Sequence, residues 1–223
     1  MDGSSLAGMK SCVIFDLDGT LVDSLSGIAG SLNRSLAAHG LPQHSEAAVR
    51  SFVGNGLENL VRRAAPAGAD SALIGSLIRA FKEDYELTWA EGTTAYPGIH
   101  GLLGELVKSG HPLAVLSNKT HPFTVAMVRA VFPQIHFAMV LGQRDGIPHK
   151  PHPAGALQIA GTMGAAPENC VVIGDSTMDL ETAANAGMEA IAVSWGYHDR
   201  ERLLAAGAAK LIDDPSELPA LLA

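Results

Sequence analysis

Asp16 and Asp18 stand two residues apart, directly after the apolar run Cys12-Val13-Ile14-Phe15. Carboxylates at i and i+2 of an extended chain project to the same side. One can attack an electrophile while the other moves a proton. Two unit charges about 4 Å apart, at an effective dielectric near 20, oppose each other by roughly 4 kcal/mol, and a phosphate substrate adds to the repulsion. Such a site needs a cation. Asp175 and Asp179, in Gly174-Asp175-Ser176-Thr177-Met178-Asp179, supply further hard oxygens of the kind that suit Mg²⁺. The ion lets a carboxylate approach a phosphate dianion and stabilises charge in the transition state. Lys150, in His-Lys-Pro-His-Pro, adds a second positive charge. Ser117, in Ser117-Asn118-Lys119, and nearby backbone amides offer hydrogen bonds to phosphate oxygens.

Taken singly, each group has an ordinary explanation. Asp-x-Asp is a common turn, Ser117 a turn residue, Lys150 a solvated charge, and Asp175 a cap for the helix after it. Their joint placement argues otherwise. Three of the clusters directly follow short apolar runs, and Lys150 follows a fourth by a short loop. In a parallel sheet the carboxyl ends of all strands share one edge, and ligands bind there.

The elements that must hold these groups are legible in outline. Apolar runs at Cys12–Phe15, Leu113–Leu116, Phe137–Leu141, Cys170–Ile173, Ala190–Val193 and, more weakly, Ala209–Ile212 show no clean alternation of polarity. That pattern predicts strands covered on both faces. Helical stripes separate most of them. Ile99, Leu102, Leu103, Leu106 and Val107 form one, stopped by Gly110; Val125, Val128 and Val131 form another. Thr177 to Ala186 reads as a helix closed by Gly187, and Pro215 opens a last one. Residues 24–92 break the rhythm with three helical patterns and no strand. The first is capped by Ser24, the second carries Leu57, Leu60, Val61 and Ala64, and the third is capped by Asp70. The expectation is an α/β fold: a Rossmann-like, mostly parallel sheet flanked by helices, with an inserted all-helical unit.

Composition narrows the function. In 223 residues, 15 Lys plus Arg against 23 Asp plus Glu give a net charge of −8, and 47% of residues are hydrophobic. Disorder needs the opposite balance. Net acidity without a basic run argues against a nucleic-acid or membrane-surface binder. Two cysteines exclude a disulfide scaffold, and both sit in apolar runs, as buried free thiols do. The first ten residues are small and polar, without the apolar stretch of a signal peptide, and Met9 is an alternative start. A cytoplasmic monomer or homodimer is expected. The nine histidines show no metal-ligand spacing such as HExxH.

Four motifs in order, DLDGTLVDS (Asp16–Ser24), SNK (Ser117–Lys119), HKPHP (His149–Pro153) and GDSTMD (Gly174–Asp179), resemble those of the haloacid dehalogenase superfamily of phosphatases. The resemblance spans nearly the whole chain from Lys10. It implies a catalytic core of residues 10–23 and 93–223 with a cap of residues 24–92. It makes Asp16 the nucleophile that forms an aspartyl-phosphate and Asp18 the acid and base. Ser117, Asn118 and Lys150 become phosphoryl ligands. Mg²⁺ falls to Asp16, the Asp18 carbonyl, Asp175 and Asp179. True dehalogenases lack the second acid, so Asp18 points to phosphoryl chemistry. The segment Phe52–Leu60 and Tyr96-Pro97-Gly98 resemble phosphoglycolate phosphatases, which implies that the turn at Gly54 and Asn55 meets the substrate. Arg62 and Arg63 read as a solvated helix face.

The expected activity is therefore Mg²⁺-dependent hydrolysis of a small phosphorylated metabolite such as phosphoglycolate. A sugar-phosphate mutase of the β-phosphoglucomutase kind shares all four motifs, and pyrophosphate is a further candidate substrate. A phospho-Asp signalling receiver uses similar groups, but neither the acid at Asp18 nor a large cap belongs to it.

Overall fold

The computed structural model describes residues 10–222; the leading segment read above as no signal peptide, with its alternative start at Met9, lies outside them. The chain opens with β1 (Cys12–Phe15) and a short β2 (Val22–Asp23), then runs through α1 (Leu25–Ala38), α2 (Glu46–Phe52), α3 (Gly56–Ala64) and α4 (Ser71–Thr88). It returns through β3 (Thr94–Ala95), α5 (Ile99–Lys108), β4 (Leu113–Thr120), α6 (His121–Val131) and β5 (Met139–Gln143). The remainder is α7 (Ala154–Thr162), β6 (Cys170–Gly174), α8 (Thr177–Ala186), β7 (Glu189–Val193), α9 (Arg200–Ala205), β8 (Leu211–Ile212) and α10 (Leu218–Leu222).

Six strands form one sheet in the order β5-β4-β1-β6-β7-β8, and every neighbouring pair is parallel. The absence of alternation in the apolar runs has a direct cause. Val13 and Phe15 of β1 enter one core cluster, with Leu113, Val115, Val171 and Ile173. Cys12 and Ile14 enter the other, with Ala114, Leu116, Cys170 and Val172. Successive side chains point to opposite faces, and here both faces are covered. Cys12 and Cys170 are register partners across β1 and β6, buried and free.

The switch in strand order falls beside β1. Its neighbours are β4 and β6, reached by crossovers in opposite directions. A crevice opens at the carboxyl ends on such a boundary.

Helices α1–α4 build a third core of their own, with Ile28, Leu32 and Leu36 of α1 against Leu60 and Val61 of α3 and Ile74, Leu77, Phe81 and Tyr85 of α4. This unit enters and leaves through an antiparallel ribbon, with Val22 opposite Ala95 and Asp23 opposite Thr94. Asp70 caps α4 by accepting from the Leu73 N–H at 2.8 Å, as its type predicts. Ser24 departs from expectation. It sits at the N-cap of α1 but makes no side-chain cap bond. Its hydroxyl donates to Asp18 Oδ1 instead, at 2.5 Å. Nor does Asp175 cap α8. Ser176 does, in a reciprocal box with Asp179.

Candidate active site

Asp16 is the first residue past β1, and its N–H donates to the Ile173 carbonyl of β6. That bond turns the side chain into the crevice. Asp16 Oδ1 accepts from the Leu17 N–H at 2.7 Å and lies 2.9 Å from Lys150 Nζ. No bond reaches Oδ2 from the described residues, so one oxygen is pinned and the other is free.

Lys150 also reaches Asp179 Oδ1 at 2.6 Å, and Asp179 Oδ2 accepts from the Ser176 hydroxyl and N–H. Asp175 is held through both oxygens, by the Thr20 hydroxyl at 2.9 Å and the Tyr197 N–H at 2.7 Å. Room for it depends on Gly19, whose φ is +88°; a Cβ there would lie 2.3 Å from Asp175 Oδ2. Carboxylate oxygens of Asp16, Asp175 and Asp179 come within 4.8 Å of one another.

The electrostatics of this trio are unbalanced. Burial pushes Asp16 well above the usual carboxylate range, Lys150 pulls it back, and Asp179 and Asp175 push it up further. Asp175 is raised to about 7 by burial and then by Asp179, against the hydrogen bonds from Tyr197 and Thr20. Burial alone would lower Lys150, yet Asp16 and Asp179 together hold it above its ordinary value. Three carboxylates face one ammonium. An excess of two negative charges on hard oxygens in a desolvated pocket fits a divalent cation of the Mg²⁺ kind.

Asp18 is compensated separately. Lys119 Nζ donates to both of its oxygens, at 2.9 and 3.1 Å, and Ser24 donates to Oδ1. Despite burial, Asp18 holds Lys119 above its ordinary value. Ser117 Oγ accepts from the Lys119 N–H at 3.1 Å, so the hydroxyl proton is free to donate.

Of the residues singled out in the sequence, Asp16, Asp18, Ser117, Lys150, Asp175 and Asp179 gather around one crevice. Gly54 and Gly56 line the cavity above it, formed between the helical unit and the sheet edge. Two residues behave differently. Asn118 was expected as a phosphate ligand, but its amide is occupied. It donates to Gly54 O and Lys150 O and accepts from the Lys150 N–H, tying the helical unit and the lysine loop to β4. Asn55 does not line the cavity; its carbonyl accepts from Asn59. Arg62 pairs with Glu58 on an exposed face, as its helical spacing suggested.

Sequence reasoning left out Lys119, Thr20 and Tyr197. Lys119 carried a signal, since it stands beside Ser117 after a strand. Tyr197 carried none, because it holds Asp175 through a backbone N–H that any residue but proline supplies.

A parallel sheet that collects carboxylates and lysines at its carboxyl edge, under a helical layer, is an arrangement suited to phosphoryl transfer. Residues 13–193 match the family model described as haloacid dehalogenase-like hydrolase. The chain belongs to that family and is a phosphatase. It is 33% identical over 194 residues to the phosphoglycolate phosphatase of Yersinia pestis, covering 86% of this chain and 84% of the relative. A solved structure of a predicted phosphoglycolate phosphatase from Haemophilus somnus superimposes with a TM-score of 0.89 at 28% identity, over 96% of this chain and 98% of that one. A CbbY structure from Rhodobacter sphaeroides, in complex with xylulose-1,5-bisphosphate, gives 0.76 at 26% identity, over 94% and 96%.

Proposed function

We propose that the chain is a Mg²⁺-dependent phosphomonoester hydrolase that works through an aspartyl-phosphate on Asp16, with a phosphoglycolate-like ester as substrate. Residues 10–23 and 93–223 serve as the catalytic core and residues 24–92 as its cap. One observation carries this reading. Asp16 has a pinned oxygen and a free one, inside an acidic trio that a single lysine leaves short of positive charge, with a second acid beside it.

The free Oδ2 of Asp16 attacks phosphorus, and the bond from phosphorus to the ester oxygen breaks. Asp18 gives its proton to the departing oxygen. Water then attacks the phosphorylated Asp16, losing a proton to Asp18, and inorganic phosphate leaves with both acids restored. Ser117 Oγ and Lys150 Nζ donate to the non-bridging oxygens. Leu17 N–H and Lys150 fix the angle of the Asp16 carboxylate. Asp16, Asp175, Asp179 and the Asp18 carbonyl are the groups that would hold Mg²⁺, whose charge keeps the carboxylates ionised and offsets that of the phosphoryl group. Asn118 acts by positioning, since its amide joins Gly54 of the cap to Lys150.

The xylulose bisphosphate complex of the Rhodobacter protein raises a sugar-phosphate reading. Against it, Ile28, Val53, Leu57, Leu60 and Phe81 of the cap wall are apolar, and Tyr85 carries the one side-chain hydroxyl that the cap adds to the cavity lining, few partners for the several hydroxyls of a sugar.

The test is phosphate release from phosphoglycolate, glucose 1-phosphate, pyrophosphate and nucleotides with Mg²⁺ present. Release should be fastest from the small carboxylated ester, stop with EDTA and return with added Mg²⁺. Release that ignores EDTA would remove the metal from the mechanism.

A further inference from the structure

A carboxylate oxygen accepts about two hydrogen bonds, and the donors around Asp18 are shared unevenly between its two oxygens. Oδ1 takes the Ser24 hydroxyl at 2.5 Å and Lys119 Nζ at 2.9 Å. Oδ2 takes only the same ammonium, at 3.1 Å, among the described residues. A proton carried by Asp18 therefore has its open place on Oδ2. It reaches Oδ1 only if the Ser24 hydroxyl turns away.

Tyr197 opposes that turn. Ser24 is fully buried, out of reach of solvent, and the Tyr197 hydroxyl lies 3.1 Å from its Oγ. The direction of this bond follows from the others. The Ser24 hydroxyl proton is spent on Asp18. The Ser24 N–H donates to the Tyr197 oxygen at 3.4 Å, so that oxygen is already an acceptor. The phenol proton then goes to Ser24 Oγ, and no other described residue accepts it. Burial, and after it the charge of Asp18, push the Tyr197 pKa well up, so the phenol keeps its proton and stays a donor at neutral pH. If Ser24 turned toward Tyr197, the phenol proton would lose its acceptor, and a buried polar group without a partner is costly. The chain runs one way, from the Tyr197 hydroxyl through the Ser24 hydroxyl to Asp18 Oδ1. The main chain of Tyr197 does something else, since its N–H holds Asp175.

We propose that Tyr197 is a positioning residue for proton transfer: through Ser24 its hydroxyl keeps Asp18 Oδ1 an acceptor, and so makes Oδ2 the oxygen that exchanges the proton. This rests on the hydrolase reading above and adds to it a residue and an atom. As the bond from phosphorus to the ester oxygen breaks, that oxygen leaves with the proton from Oδ2. The water that attacks the phosphorylated Asp16 returns a proton to the same Oδ2. Ser24 and Tyr197 exchange none, and end each cycle as they began.

The experiment reads kcat/KM with Mg²⁺ present for two esters, phosphoglycolate and p-nitrophenyl phosphate. This constant covers the steps through departure of the leaving group. The alkoxide of the first needs a proton to depart, and the nitrophenolate of the second does not. Tyr197→Phe keeps the ring and the N–H that holds Asp175. It should lower kcat/KM for phosphoglycolate by about 5- to 20-fold and for the aryl ester by less than about twofold. The Mg²⁺ concentration for half-maximal activity should stay at the wild-type value. Ser24→Ala should give the same split, with a loss of about 10- to 100-fold on the alkyl ester, and Ser24→Thr should keep most of the activity. Adding Tyr197→Phe to Ser24→Ala should cost nothing further, because the two hydroxyls act in series. Equal losses on both esters in folded Tyr197→Phe and Ser24→Ala, or no loss on either, overturn the assignment and leave the hydrolase standing. If folded wild type with Mg²⁺ hydrolyses neither ester, the hydrolase reading falls and takes the role of Tyr197 with it.

Discussion

Asp16 and Asp18 differ by two positions and by their partners, and the partners decide their work. Asp16 keeps one oxygen free and shares its surroundings with two more carboxylates. Asp18 has its charge met by Lys119 and a hydroxyl from Ser24. Asp16→Asn should bring turnover to background, because an amide cannot form the covalent intermediate. Circular dichroism should show the native fold, and normal turnover in that folded variant would refute the assignment. Asp18→Asn should lower kcat by about 10²- to 10⁴-fold. The loss should be largest with alkyl esters, whose leaving groups need the proton most; steady-state rates across esters of graded leaving-group acidity check this. The carboxylates and Lys150 were legible in the sequence because each follows an apolar run. Asn118 was legible as a residue of the site but its contacts were not, because a side-chain amide serves a ligand or a backbone equally well, and the position of the lysine loop decides that this one ties Lys150 to Gly54.

At the scale of elements, strands were legible where both faces are buried, since β1, β4 and β6 are apolar at every core position. Their ends were less so. β4 continues through Ser117, Asn118 and Lys119 to Thr120, since pairing with β5 resumes at Gln143 beyond an irregularity. Polar residues hid that extension, and the extension is what brings Lys119 to Asp18. The short α2 buries only Val49 and so leaves no stripe to read. Helix α7 packs through Gly155, Ala156, Ile159 and Ala160, whose small side chains blur the apolar face. The long α4 was readable from its Asp70 cap and its stripe. Asp70→Ala should cost about 1 kcal/mol, which for a chain of this size lowers Tm by about 2–4 °C. Calorimetry checks this. An unchanged Tm would mean that α4 is held wholly by its buried face.

At the scale of the molecule, the cap and the core meet through few polar contacts, and those contacts converge on the site. Arg50 of α2 donates to the carbonyls of Tyr197 and Gly196, at 2.8 and 2.5 Å. The Tyr197 N–H holds Asp175, and the Tyr197 hydroxyl lies 3.1 Å from Ser24 Oγ, the donor to Asp18. One loop is therefore bonded to the cap through Arg50 and Ser24 and holds a proposed metal carboxylate through the Tyr197 N–H, while Ser24 links it to Asp18, the proposed proton carrier. Loosening the cap should then loosen Mg²⁺. Arg50→Met removes the two bonds without touching the substrate cavity, whose lining does not include Arg50. It should raise the Mg²⁺ concentration for half-maximal activity by about 3- to 10-fold, the equivalent of one ordinary hydrogen bond at the loop. Arg50→Lys should restore part of the loss. The readout is Mg²⁺ titration followed both by activity and by thermal shift, because a change confined to substrate KM would mean that the guanidinium only shuts the cap. A Mg²⁺ response identical to wild type would show that the backbone of the loop holds Asp175 in place without the cap, so that cap and cation act independently.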